Sequence, residues 1–249
     1  MTYTILKYKV AAPKPHLFIG SKIRGMLGYA LKEEVCINPS YRCKGCFAAN
    51  ECTFYDMYEK SNTTHYYRLD FDLYEKRYKF SIYLFGILQQ QKDAISKAMM
   101  KVLFPYGTVE VKSKTKKIKK YKTVPKVIKL TFITPLRIKK QNRFVKKEIG
   151  ITELLRSIHK RAKDLGVEKL PILPLENEGI VVSQNFRYQE LVRRSNKQNT
   201  TMKMGGLMGE IVISDMGKEA YRLLKLGEII GVGKATVFGL GKIKIEEIA

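Results

Sequence analysis

Two alternating runs sit back to back in this chain. YYRLDFDLYE, residues 66–75, and YKFSIYLFGI, residues 78–87, are parted only by Lys76 and Arg77. Apolar–polar alternation of that length marks half-buried strands, and the short join predicts a β-hairpin. What surrounds the hairpin limits the fold further. Residues 3–10 alternate as a strand. Residues 20–35 carry helical spacing, with Ile19, Ile23, Met26, Leu27, Ala30 and Leu31 on one face. Lys22, Gly25, Tyr29 and Lys32 fall on the other face. A second helix is predicted from Lys92 to Leu103, stopped by Pro105 and Gly107. A strand near 108–112 completes β-α-β-β-α-β, the ferredoxin-like unit.

The same order then starts again. KVIKLTFITPL predicts a strand, and ITELLRSIHKRAKDLG predicts a helix with Ile151, Leu154, Leu155, Ile158, Ala162 and Leu165 along one side. GIVVSQNFRYQEL and GGLMGEIVIS read as strands, DMGKEAYRLLKLG as a helix and KIKIEEI as a last strand. Only the order of elements repeats, not the residues. The expected fold class is α+β, with two tandem ferredoxin-like (RRM-like) domains over residues 1–123 and 124–249. Both lengths are ordinary for a domain.

Charge sets the class of partner. The chain has 47 Lys plus Arg against 23 Asp plus Glu, a formal +24. Such an excess repels itself when compact and points to a polyanion, nucleic acid before an anionic membrane surface. No apolar run approaches the ~20 residues that span a bilayer. MTYTILKYKV alternates like a strand and does not read as a signal peptide, so the expected compartment is the cytoplasm with no membrane partner. The most basic stretch, VKSKTKKIKKYKTVPK, carries Lys112, Lys114, Lys116, Lys117, Lys119, Lys120, Lys122 and Lys126. It reads as a hairpin arm or linker, either solvated or gripping nucleic acid.

All four cysteines fall between residues 36 and 52, as Cys36, Cys43, Cys46 and Cys52, spaced C-x6-C-x2-C-x5-C. Clustered thiols in a reducing compartment indicate a metal. Four thiolates suit tetrahedral zinc, with Gly45 easing the tight CKGC backbone; an iron–sulfur cluster or unliganded thiols are the alternatives. A closed four-cysteine site is structural, so no catalytic metal is expected.

The chain closes on GEIIGVGKATVFGLGKIKIEEI, a glycine-rich stretch at 227–241 leading into the last strand. Its spacing is not that of a nucleotide-binding loop. Glycines permit positive φ and close approach, so the amides of Gly231, Gly233, Gly239 and Gly241, with Lys234, are candidates to face RNA phosphates. The basic segment RRSNKQNTTMK adds Arg193, Arg194, Lys197 and Lys203, and Arg137, Lys139, Lys140 and Arg143 are further cations.

Twin ferredoxin-like domains, the loop GVGKATVFGLGKIKI and the strong basic charge resemble the RAMP superfamily of CRISPR-associated RNA-binding proteins. IRGMLGYALKEEVCINPSYRCKGCFAANECTFYDMY, FITPLRIKK and RYQELVRRSNKQNTTMKMGGLMGEIVI are similar to one branch of its repeat-cleaving endoribonucleases, the branch with an N-terminal four-cysteine cluster. The resemblance runs collinearly along nearly the whole chain. It implies binding of precursor CRISPR RNA repeats, with other CRISPR effector or adaptation proteins as further partners. It also implies a metal-independent cut, in which the 2′-hydroxyl attacks the adjacent phosphate and leaves a 2′,3′-cyclic phosphate and a 5′-hydroxyl.

That chemistry needs a base, an acid and cations at the phosphate. The resemblance places catalytic histidine or lysine residues between the first helix and the next strand, where His65 lies. His16, just before the first helix, is a second candidate, and His159 reads as a surface residue. Tyr29 is a candidate to assist the base and Lys22 to hold the phosphate. The alternatives are a non-cleaving RAMP subunit that binds and caps guide RNA, and a zinc-stabilised cytosolic nucleic-acid-binding factor.

Overall fold

The computed structural model describes residues 1–119, 121–195 and 200–248. It divides into two compact units, Thr2–Lys117 and the chain from Ile118 onward together with Met1.

In the first unit β1 (Thr2–Pro13), α1 (Gly20–Val35), β2 (Tyr67–Asp70), β3 (Arg77–Leu84), α2 (Lys92–Leu103) and β4 (Val109–Lys117) follow in order. The sheet runs β2-β3-β1-β4, antiparallel throughout. This is the ferredoxin-like order. Tyr8, Phe80, Ile82 and Leu84 from the sheet are buried with Ile23, Leu27 and Leu31 of α1 and Ile95 and Met99 of α2. The expected apolar face of α1 is buried at Ile19, Ile23, Leu27, Ala30 and Leu31.

The hairpin differs from its expected form. β2 stops at Asp70 and β3 starts at Arg77, so the join is longer than Lys76 and Arg77. Phe71 and Leu73 are the reason: both are buried, and the chain turns inward to seat them. The lysine-rich stretch also differs. Instead of starting an arm, its first half extends β4 to Lys117, paired with β1 from Val10↔Val109 to Thr2↔Lys117.

The second unit repeats the plan with β5 (Val127–Leu136), β6 (Lys139–Lys140), β7 (Arg143–Phe144), α3 (Ile151–Asp164), β8 (Ile180–Gln189), β9 (Val192–Ser195), β10 (Thr200–Lys203), β11 (Gly206–Ser214), α4 (Lys218–Ile230) and β12 (Ile243–Ile248). Its main sheet runs β12-β5-β11-β8. The six apolar residues expected along α3 are all buried. Two small hairpins, β6–β7 and β9–β10, are additions to the expected order. Both are rich in Lys, Arg, Asn and Gln and lack the apolar alternation that reveals a strand. Among the described residues no helix is long and apolar enough to cross a membrane.

Candidate RNA-processing site

The candidates of the first unit have separate partners. His65 lies between a five-residue π-helical turn, Tyr55–Glu59, and β2. Its Nδ1 is 3.1 Å from the Asp56 carbonyl and its ring lies 6.1 Å from that of Tyr67. A carbonyl only accepts, so Nδ1 carries the proton and Nε2 is the basic nitrogen of the neutral ring. His16 is exposed in the β1–α1 loop. Lys22 reaches over the Tyr106 ring at 4.9 Å. Tyr29 is 70% exposed; its bond with Glu33, then the Glu33 charge, pushes its phenol up. Lys101 engages the same Glu33 at 2.8 Å. His159 bonds the Pro171 carbonyl at 2.9 Å through Nε2.

Arg24 acquires a role that the sequence did not reveal. It lies on α1, two residues after Lys22, and donates to the Met57 carbonyl at 3.3 Å. Its guanidinium stacks 4.4 Å from the Tyr58 ring, and the Tyr58 hydroxyl donates back to the Arg24 carbonyl at 2.8 Å. A Cβ on Gly28 would sit 2.6 Å from Tyr58, so the ring fits because position 28 is glycine. Burial pushes the Tyr58 and Tyr67 phenols up, and the Arg24 charge opposes it. Arg24 thus pins to α1 the turn whose Asp56 carbonyl orients His65. The signal was the Arg-Gly…Gly pattern, but one sequence does not show what the arginine stacks on.

In the cysteine segment Gly45 has φ +70° and the Cys46 amide donates to the Cys43 carbonyl at 3.3 Å, so the CKGC turn is formed. The thiols are free. Among the described residues no group of three or more His, Cys, Asp or Glu side chains is placed to hold a metal.

The glycine-rich loop corrects its expected role. Gly231, Gly233, Gly239 and Gly241 all have positive φ, as their residue type suggested. Their amides, however, are already engaged. Gly231 donates to Gly227, Gly239 to Thr236 and Gly241 to Pro135 carbonyls, and Gly233 donates to Ser157 Oγ at 3.0 Å. Thr134, fully buried, donates to the Gly239 carbonyl at 2.8 Å and accepts from the Lys242 amide at 2.9 Å. The glycines serve close packing, since a Cβ on Gly233 would meet the Arg137 carbonyl at 2.5 Å. As folded, the loop offers a phosphate the exposed Lys234 side chain rather than these four amides.

Cations on aromatic faces accompany the loop. The Arg193 guanidinium lies 4.7 Å from the Phe238 ring centre and bonds Met202 Sδ at 2.9 Å. Arg137 stacks on Phe144 at 4.2 Å and donates to the Gly205 carbonyl at 2.6 Å. Burial lowers its pKa, and Tyr188 and Glu190 oppose the shift. Lys139 lies over the other side of this cluster, 5.4 Å from the Phe144 ring. An open groove of about 880 Å³ runs along Lys139, Asn142, Arg143, Phe144 and Lys146. Lys203 is exposed on β10, and Arg194 belongs to β9. Lys120 and Lys197 lie outside the described residues. Guanidinium and ammonium groups on aromatic rings beside a groove suit phosphate and unpaired bases.

Each unit has the ferredoxin-like strand order, and the +24 charge suits a polyanion. Residues 130–243 match the family model of the CRISPR-associated endoribonuclease Cas6. Residues 6–123 match a model described as an N-terminal domain. The second unit is therefore similar to the CRISPR-associated endoribonucleases of that family. An uncharacterised protein of Archaeoglobus fulgidus is 24% identical, covering 97% of each chain. A Cas6 product complex superposes over 99% of this chain and 100% of its own, at TM-score 0.60 and 16% identity. Cas6 of Thermus thermophilus does so over 98% of each, at TM-score 0.58 and 12% identity. At these identities the two structures establish the fold.

Proposed function

We propose that this chain cuts precursor CRISPR RNA within its repeats without a catalytic metal. The 2′-oxygen beside the scissile phosphate bonds to phosphorus, and the bond from phosphorus to the 5′-oxygen breaks. The proton of the 2′-hydroxyl goes to Nε2 of His65, and the leaving 5′-oxygen takes up a proton. The products are a 2′,3′-cyclic phosphate and a 5′-hydroxyl. Tyr29 remains the candidate to assist the base, Lys22 to hold the phosphate and His16 the second choice after His65. Lys234, Lys203, Arg137, Arg193, Arg194 and Lys197 are the proposed RNA contacts. Other CRISPR-associated proteins are proposed partners on the same family grounds.

The observation that carries this reading is the Cas6 family match over residues 130–243. The held tautomer of His65 and the +24 charge support it. The test is incubation with the host's repeat RNA in excess chelator. All-ribose RNA should be cut, and RNA carrying one 2′-deoxy residue at the cut site should survive. Tight repeat binding without cutting would instead indicate a capping subunit. Binding without repeat preference would indicate a general nucleic-acid factor.

Zinc at Cys36, Cys43, Cys46 and Cys52 is kept as a separate proposal, because four soft donors in one short segment suit that ion. Purified protein should contain about one zinc per chain by elemental analysis, lost in Cys43→Ser with Cys46→Ser. Metal-free, fully active wild-type protein would end the proposal.

A further inference from the structure

The register of the first sheet gathers lysines from three strands onto one face. On β4, Lys112, Lys114 and Lys116 alternate and so point the same way. Their β1 partners are Lys7, Ile5 and Tyr3, and Lys9 follows opposite Glu110. Lys79 of β3 lies opposite Lys9. Two of these ammonium groups have carboxylates: Lys9 bonds Glu110 at 2.9 Å and Lys79 bonds Glu75. Lys7, Lys112, Lys114 and Lys116 are exposed. Lys7 and Lys112 are directly opposite, a like-charge pairing that costs stability.

Lysines on an edge strand have a simpler use, blocking sheet-to-sheet aggregation. Two observations argue that this is not their only purpose. Lys7, Lys9 and Lys79 lie on β1 and β3, the inner strands of β2-β3-β1-β4, where no edge needs guarding. Edge charge also varies in this chain: β12, one edge of the other sheet, carries Lys244, Glu246 and Glu247. β8, ten residues long at the edge of the other sheet, has Arg187 as its single charged residue.

We propose that this lysine face docks the phosphodiester backbone of single-stranded RNA outside the repeat, independently of base sequence. Ammonium groups about 6.6–6.8 Å apart along a strand present point charges to phosphates and read no base. This rests on the RNA-processing reading above and adds to it a site for the flanking strand.

The test is a salt titration of full-length protein with a 20-nucleotide oligouridylate and, in parallel, with minimal repeat RNA. Replacing Lys112, Lys114 and Lys116 together by Gln should lower the slope of log K against log salt by about 2 for the oligouridylate. Its affinity at 0.1 M salt should fall roughly 30–100-fold. Lys7→Gln, on an inner strand, should lower the slope by about 0.7. An unchanged oligouridylate slope in both variants would overturn the proposal. So would a triple variant that self-associates while Lys7→Gln leaves the slope intact, since the lysines would then be edge guards alone. If the wild type fails to cut repeat RNA but the oligouridylate slope responds as stated, the cleavage reading falls and the docking surface stands.

Discussion

His65→Ala should reduce the rate of repeat cleavage by about 10²–10⁴-fold, the usual contribution of a positioned general base. Repeat RNA affinity should stay within about threefold, because a neutral imidazole adds no charge at the phosphates. The expectation rests on geometry. The Asp56 carbonyl accepts a hydrogen bond from Nδ1–H at 3.1 Å and so leaves Nε2 as the basic nitrogen. Asp56 sits in a turn that Arg24 holds to α1 through Met57 and Tyr58. Single-turnover rates at saturating protein separate chemistry from binding. A variant that cuts at the wild-type rate would remove His65 from the mechanism and turn attention to His16 and the Tyr29–Lys22 pair.

Gly241→Ala should be the more damaging change to the fold. Gly241 has φ +71°, and a Cβ there would lie 1.8 Å from the Val232 carbonyl oxygen. The positive φ alone costs an alanine ~1–2 kcal/mol, and the overlap adds ~1–3 kcal/mol more. A total of about 2–5 kcal/mol should lower the melting temperature of the second unit by roughly 6–20 °C. Gly25→Ala is the matched control. It sits exposed within α1, with nothing within 4 Å of its Cβ position. There alanine should raise stability by ~0.5–1 kcal/mol. Equal melting curves for the two variants would show that the loop geometry carries no strain.

The fold was legible because each domain alternates cleanly between two periods. α1 and α2 have the expected bounds, and β4 is placed correctly, although it runs further than expected. The polar hairpins β6–β7 and β9–β10 escaped, because Lys139, Lys140 and Arg143 have no buried face to set a period. The site was legible only as a set of residue types. Positive φ at Gly231, Gly233, Gly239 and Gly241 follows from glycine itself. Gly231 and Gly239 bond within the stretch, but that Pro135 and Ser157 take the amides of Gly241 and Gly233 depends on residues distant in sequence. The stacking of Arg24 on Tyr58 is equally non-local. The cysteine spacing describes what thiols can hold and does not fix the backbone that would bring four of them together.

The loop at the end of the chain also bears on the order of assembly. Thr134 meets Gly239 across 105 residues, and Ser157 meets Gly233 across 76. The amides of Gly233 and Gly241 find their acceptors only on α3 and β5, and glycine has more backbone freedom to lose than any other residue type. The acceptors must stand in place on β5 and α3 before the last segment gains anything by ordering. The C-terminal segment is therefore a closing piece, set late onto a frame that the middle of the chain has already built.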